Sequence, residues 1–85
     1  MSSRHAKLIR AIFADPPSHN IEWRDVESLL RHGGAELEPL SGARYRVTKD
    51  RAEAILLRPH HHHTTLDAHG LDHLRGFLAR AGVTP

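Results

Sequence analysis

Cysteine is absent from this chain of 85 residues. Neither disulfide bonds nor thiolate metal ligands can therefore support its fold, and a reducing compartment is compatible with it. No stretch approaches the roughly 20 apolar residues of a membrane-spanning helix. Residues 1–5 lead into an amphipathic pattern and not into the apolar core of a signal peptide. These absences predict a soluble, cytoplasmic protein that does not bind a membrane.

Aromatic residues are also few, and they are Phe13, Trp23, Tyr45 and Phe77. Recognition of single-stranded bases by stacking is therefore disfavoured. Lysine is scarce too, because arginine supplies all but Lys7 and Lys49 of the twelve basic residues. Arginine suits bidentate binding of phosphate or carboxylate. The sequence has no phosphate-cradling glycine loop and no internal repeat.

Length and apolar spacing predict one small domain that begins with two helices. A chain this short can bury about 60–65% of its unfolded surface, so residues 1–85 have room for a single core. Helical spacing predicts a first helix over about residues 3–14, with a core face of Ala6, Ile9, Ile12 and Phe13. The same spacing predicts a second helix over residues 22–31, which ends at Gly33 and Gly34.

After the second helix, apolar and polar residues alternate with the period of two that is typical of strands. A first strand ends at Pro39, which marks an edge position. A second strand carries Arg44 and Arg46 on one face and apolar residues on the other. Glu36 and Glu38 lie opposite these arginines if the two strands pair, and they would form ordinary cross-strand ion pairs.

The apolar run of residues 52–57 predicts a buried third strand, which is followed by Arg58, Pro59 and four consecutive histidines, His60–His63. Proline cannot continue a central strand, so the histidines follow the strand exit. Imidazole and guanidinium groups at one strand end predict a site for an anion, for proton transfer or for a metal.

A last helix is predicted over residues 68–81, with a capping residue between Thr64 and Asp67. The three predicted strands form an antiparallel meander. We therefore predict an α+β fold, in which helices pack on one face of a three-stranded antiparallel sheet in the order α-α-β-β-β-α.

Four segments of the sequence form a pattern of helix, glycine and strand, then a turn, a strand exit and the end of a helix, at residues 26–37, 42–45, 58–60 and 74–83. These segments resemble the HicA family of bacterial toxins. The last of these begins with leucine-arginine and continues to a leucine and an alanine-glycine pair, which is close to the ending of the family's last helix. The resemblance makes residues 22–83 a HicA-like core and residues 1–20 an N-terminal helical extension.

The resemblance implies a fold like that of the double-stranded RNA-binding domain. It implies a ribosome-independent endoribonuclease that cleaves messenger RNA without a cofactor. It also implies a partner, a HicB-type antitoxin that binds over the active face and silences the toxin in a type II toxin–antitoxin system.

The family's catalytic histidine normally follows a glycine-serine pair, whereas Arg44 follows Gly42 and Ala43 in this sequence. Arginine stays protonated and cannot act as a general base. RNA cleavage through the 2′-hydroxyl needs a base, an acid and a cation beside the phosphate. We therefore predict that His60 or His62 transfers protons while Arg44 or Arg46 stabilises negative charge, with His60 preferred because it directly follows the proline.

A second interpretation is a binding module without catalysis. Arg44, Arg46, Lys49 and Arg58 would line one side of the sheet and hold RNA phosphates. Shape and 2′-hydroxyl contacts would then replace sequence readout. The same basic face would suit an antitoxin of complementary charge.

A third interpretation is metal binding. His69 and His73 are spaced i,i+4 on the last helix and face the same way, as paired zinc-binding histidines do. No glutamate follows His69, however, and a closed site would need further ligands such as Asp67 or Asp72. We therefore predict no physiological metal site.

Overall fold

A computed structural model of the chain describes residues 3–16, 18, 20–59 and 64–85. The elements are α1 (Ser3–Ile12), α2 (Trp23–His32), β1 (Glu36–Pro39), β2 (Arg44–Lys49), β3 (Ala52–Leu57) and α3 (Ala68–Arg80). The predicted α+β class and the order α-α-β-β-β-α are confirmed. The likeness to the double-stranded RNA-binding domain stays a prediction.

The three strands form one antiparallel sheet in the order β1-β2-β3. β2 and β3 are joined by a tight turn at Asp50 and Arg51, where Asp50 takes a φ of 54°. This left-handed conformation is one that aspartate tolerates better than most residues do. The turn sets Val47 opposite Ala54, so odd-numbered residues of β2 share a face with even-numbered residues of β3.

The helices cover one face of the sheet. α2 lies against β1, α3 lies against β3, and α1 lies against α2. The covered face of the sheet contributes Val47 and Leu56, which are 0% and 2% exposed. α3 adds Leu74 and Phe77, both fully buried. The other face carries charged and exposed side chains, since alternate strand residues point to opposite sides.

The residues at the end of α2 and at the beginning of α3 form the stop and the cap that the sequence predicts. The N–H of Gly33 donates to the carbonyl oxygen of Leu29 at 2.9 Å. Gly34 then takes a φ of 89°, which side-chain-bearing residues rarely adopt. α3 begins at Asp67, whose Oδ1 accepts a hydrogen bond of 2.7 Å from the N–H of Gly70. Asp67 is therefore the capping residue predicted within the segment 64–67.

Helix α1 differs from its prediction. It ends at Ile12 and not near residue 14, and Ala6 is exposed although it was expected on the core face. His5 occupies the buried position and is 8% exposed, with its Nε2 atom 3.2 Å from the hydroxyl oxygen of Ser28. Positions 5, 9 and 12 also lie on one helix face. Ser28 of α2 gives His5 a polar contact, which allows that face to be the buried one.

Among the described residues, every helix is too short or too polar to cross a bilayer.

Candidate functional site

A groove with a volume of about 600 Å³ lies between strand β3 and the beginning of helix α3. Its strand side includes Arg44, Ile55, Leu57 and Arg58, and its helix side includes His69 and His73. We call it the β3–α3 groove. Its volume falls within the range of roughly 300–1,000 Å³ that is usual for ligand sites in proteins.

The sheet register builds the strand side of the groove. Arg44 lies directly opposite Leu57 in the β2–β3 pair, so both side chains stand on the face of the sheet away from the helices. Ile55 and Leu57 are 40% and 59% exposed on that face. The apolar run was predicted to be a buried strand, and this prediction is wrong for these two residues because only alternate positions such as Leu56 face the core.

The two arginines at the groove differ in how they are held. The Arg44 guanidinium donates from Nη2 to the hydroxyl oxygen of Ser41 at 2.8 Å and from Nε to the Ser41 carbonyl oxygen at 3.3 Å. The backbone N–H of Arg58 donates to the carbonyl oxygen of Ala43 at 2.8 Å, which extends the strand pairing to the strand exit. The Arg58 guanidinium has no hydrogen bond or ion pair with any described residue. Among the described residues, nothing therefore competes with an anion for this guanidinium.

The helix side of the groove carries the predicted histidine pair. The ring centroids of His69 and His73 lie 4.4 Å apart at an interplanar angle of 48°, and both side chains are exposed. The prediction that they face the same way is confirmed. Imidazole groups can donate and accept hydrogen bonds and can exchange protons near neutral pH. The groove thus combines guanidinium groups on one side with imidazole groups on the other.

Arg46 is occupied by ion pairs. Its Nη1 lies 3.0 Å from Oε1 of Glu38 on β1, and its Nε lies 3.2 Å from Oε1 of Glu53 on β3. The prediction of cross-strand ion pairs between the glutamates of β1 and the arginines of β2 is therefore confirmed for Glu38 and Arg46. It is wrong for Glu36, because the register places Glu36 opposite Thr48.

Lys49 does not belong to the same face as Arg44 and Arg46. It is odd-numbered on a strand whose even-numbered residues carry the arginines, so it points to the side of the helices. Its Nζ donates to the carbonyl oxygen of Gly33 at 2.9 Å, at the end of α2. The prediction that four basic residues line one side of the sheet is wrong for Lys49.

His60 and His62, the predicted catalytic histidines, lie outside the described residues. Pro59 and Thr65, which are described, line the β3–α3 groove. The predicted closeness of Arg44 and His60 stays a prediction.

Sequence reasoning missed the groove because its two sides come from separate parts of the chain. His69 and His73 were recognised only as a metal-binding pair, and Ile55 and Leu57 were assigned to the core. One signal was present in the sequence. Glu53, Ile55 and Leu57 are alternate residues of one strand and therefore share a face, and the glutamate indicates that this face is exposed.

The described residues contain no group of three or more histidine, aspartate or glutamate side chains that could hold a metal ion. His69 and His73 supply two imidazole groups, whereas a catalytic zinc site normally has three protein ligands. The described residues of the groove therefore offer fewer imidazole ligands than a catalytic zinc site of the three-histidine type has.

In comparisons with known proteins, no family model, no curated protein and no solved structure matches this chain. The resemblance to HicA toxins stays a prediction. The site must therefore be interpreted from its own residues.

Proposed function

We propose that this chain binds RNA in the β3–α3 groove and cleaves it as a metal-independent endoribonuclease, the toxin of a type II toxin–antitoxin pair. The observation that carries the proposal is that Arg44, Arg58, His69 and His73 line one groove. A phosphodiester needs cations beside its oxygens and proton donors and acceptors beside its ester bonds. The groove provides both kinds of group.

The cleavage would follow the usual route through the 2′-hydroxyl. The 2′-oxygen attacks phosphorus as it loses its proton to a base, the bond from phosphorus to the 5′-oxygen breaks, and an acid protonates that oxygen. The products are a 2′,3′-cyclic phosphate and a free 5′-hydroxyl. Arg58, whose guanidinium has no partner in the part of the chain that the structure describes, would stabilise the charge on the phosphoryl oxygens together with Arg44.

The base and the acid must approach from opposite sides, because the entering and leaving oxygens lie in line through phosphorus. His69 and His73 are in ring contact on one side of the groove, so they supply one of these two positions. We assign the other position to His60 or His62, which follow the groove residue Pro59 in the chain. This retains the predicted roles of Arg44 and His60 and adds the helix pair to them.

The low aromatic content supports recognition of the RNA backbone and not of its bases. Trp23 and Tyr45 are in contact with each other at a ring-centroid distance of 5.5 Å, and Trp23 is buried. Neither lines the β3–α3 groove. Contacts to phosphate and to the 2′-hydroxyl therefore provide most of the binding.

The test is to incubate the purified full chain with a 5′-labelled RNA, with and without a chelator. We expect fragments that end in a 2′,3′-cyclic phosphate, formed at the same rate in both reactions. An RNA in which the 2′-hydroxyl is replaced by a methoxy group should remain intact. Cleavage that stops with chelator, or that continues on the methylated RNA, would contradict the mechanism.

A second candidate is an RNA-binding or antitoxin-binding module without catalysis. It is favoured by the presence of Arg44, held by Ser41, where the HicA family has its histidine. In that case the same experiment would give intact RNA whose binding weakens steeply with added salt. A HicB-like antitoxin of complementary charge is the protein partner that we propose for either candidate.

A further inference from the structure

Strand β3 is an edge strand. The strand order pairs it with β2 on one side, and no strand of the described residues pairs with its other edge, which faces the β3–α3 groove. Edges of this kind present unpaired N–H and C=O groups, which other chains can use for strand pairing.

The register shows which backbone groups face the open edge. Position 58 forms a hydrogen-bonded pair with position 43, since the N–H of Arg58 donates to the Ala43 carbonyl oxygen. Hydrogen-bonded and non-hydrogen-bonded pairs alternate along antiparallel strands. Ile55 and Leu57 are therefore in non-hydrogen-bonded pairs with β2. Their N–H and C=O groups point away from β2, towards the open edge.

One end of the edge is already covered. The Nη2 atom of Arg80 donates to the carbonyl oxygen of Glu53 at 3.1 Å. Ile55 and Leu57 have no hydrogen-bond partner on the open side within the described part of the chain. The open section of the edge therefore runs from Ile55 to the strand exit.

The side chains beside this open section do not protect it against pairing with another strand. Proteins usually guard an edge with lysine, proline or a bulge, but the open positions here carry Ile55 and Leu57, which are 40% and 59% exposed. Arg44 and Arg58 lie at the exit end of the same section. The groove is thus apolar along its strand and basic at one end.

We propose that the open edge of β3 takes an extended, acidic segment of a protein partner as a fourth strand in the β3–α3 groove. Main-chain hydrogen bonds to Ile55 and Leu57 would supply affinity. Apolar side chains at alternate positions of the segment would cover these two residues, and its carboxylates would face Arg44 and Arg58. This is the strand-addition mode of peptide recognition, in which alternate side chains give specificity.

An intact second copy of this chain fits the groove less well than a single segment does. The first turns of α3 form the other side of the groove through His69 and His73. Two copies that paired edge to edge would bring both of these helices to the same edge. A single extended segment needs only the space between strand and helix.

The consequence for RNA rests on the proposed function. A strand seated in the groove would occupy the surface that RNA needs and would engage Arg44 and Arg58. The partner would then inhibit the protein by competing for the groove, and no change of fold would be required.

The test begins with selection of displayed seven-residue peptides on the immobilised full chain. An enriched peptide is synthesised with a fluorescent label, and its affinity is measured by anisotropy. We expect sequences that alternate apolar residues and carry aspartate or glutamate towards one end. Bound peptide should also slow the hydrogen exchange of the Ile55 and Leu57 amides.

Two changes separate strand pairing from simple apolar contact. Leu57→Pro removes the N–H that faces the edge while leaving the pairing with β2 intact, and edge positions tolerate proline. We expect it to weaken peptide binding about tenfold or more, and Leu57→Ala, which keeps the N–H, to weaken it less. Methylation of the peptide nitrogens that face β3 should cause the same loss on the unchanged protein. Because methylation leaves the protein unchanged, it still tests strand pairing if Leu57→Pro fails to fold.

The outcomes distinguish the strand site from the RNA site. Failure to enrich acidic peptides, or peptide binding that is undiminished both in Leu57→Pro and after methylation of the peptide, would overturn strand addition. A dimer that is lost in Leu57→Pro would make a second copy the occupant and would overturn the proposal of a partner. Displacement of the peptide by an RNA oligonucleotide supports both sites. Peptide binding without displacement leaves the strand site standing and overturns the placement of RNA in the groove.

Discussion

The guanidinium of Arg75 on α3 donates a hydrogen bond to the main-chain carbonyl oxygen of Ile12, which lies 63 residues away in the sequence at the end of α1. A second bond from the same group reaches the carbonyl oxygen of Ala14. The last carbonyl groups of a helix have no partner within the helix. Arg75 therefore both satisfies the end of α1 and attaches this helix to the rest of the domain.

Replacing Arg75 by alanine should lower the free energy of unfolding by about 1–3 kcal/mol, because hydrogen bonds to a charged group are lost and carbonyl groups are left without partners. Urea titration followed by circular dichroism measures this change. Arg80→Ala is the control, since Arg80 is an exposed arginine of the same helix with one main-chain hydrogen bond. Equal effects of the two changes would show that Arg75 does not attach α1.

The neighbours Leu56 and Leu57 test the register of β3. Leu56 is 2% exposed and Leu57 is 59% exposed, although both belong to the same apolar run. Leu56→Ala should cost about 2–5 kcal/mol, the usual range for a buried leucine. Leu57→Ala should change the free energy of unfolding by no more than about 0.5 kcal/mol. A reversed order in urea titrations would mean that the strand has the opposite face buried.

Arg58→Ala should weaken RNA binding and reduce its dependence on salt. Each phosphate contact contributes a slope of about −0.7 for a single strand in a plot of log affinity against log salt, so loss of one contact should reduce the slope by about that amount. Filter binding over a range of salt concentrations measures it. The matched control is Arg51→Ala, because Arg51 is also exposed and lies at the opposite end of β3. Equal losses would indicate a general charge effect and no site in the groove.

The double variant His69→Ala, His73→Ala should remain folded but lose RNA cleavage. Both side chains are exposed on α3, and alanine favours helix at exposed positions. We expect at least a hundredfold lower cleavage rate, in line with the usual contribution of a general acid or base, and an unchanged circular dichroism spectrum. Asp72→Ala, an exposed change on the same helix, is the control. Undiminished cleavage by the double variant would remove the helix pair from the mechanism.

Local sequence patterns were sufficient to predict the element order and much of the orientation of the side chains. The period of two placed Arg44 and Arg46 on one face, and the i,i+4 spacing placed His69 and His73 side by side. The cap at Asp67 was also predictable. Such features depend on the geometry of one helix or one strand, which residues close in sequence determine.

The sequence also determined which types of cationic side chain were available to the site, because arginine and histidine are the only abundant ones. It did not determine which of them meet. The choice of His5 over Ala6 as the buried residue of α1 depended on Ser28 of another helix. Arg46 forms ion pairs with glutamates of the two neighbouring strands, and Lys49 donates a hydrogen bond to a carbonyl oxygen at the end of α2.

Only the tertiary structure decided that one edge of β3 has no strand partner among residues 3–59 and 64–85 as far as these are described, and that α3 lies across from this edge. The apolar run 52–57 is compatible with a strand buried on both faces or on one, since composition does not reveal how many neighbours a strand has. The packing of α3 against β3 brings Arg58 and the His69–His73 pair to one groove. Contacts between distant segments depend on the packing of the whole core, and no short stretch of sequence contains that information.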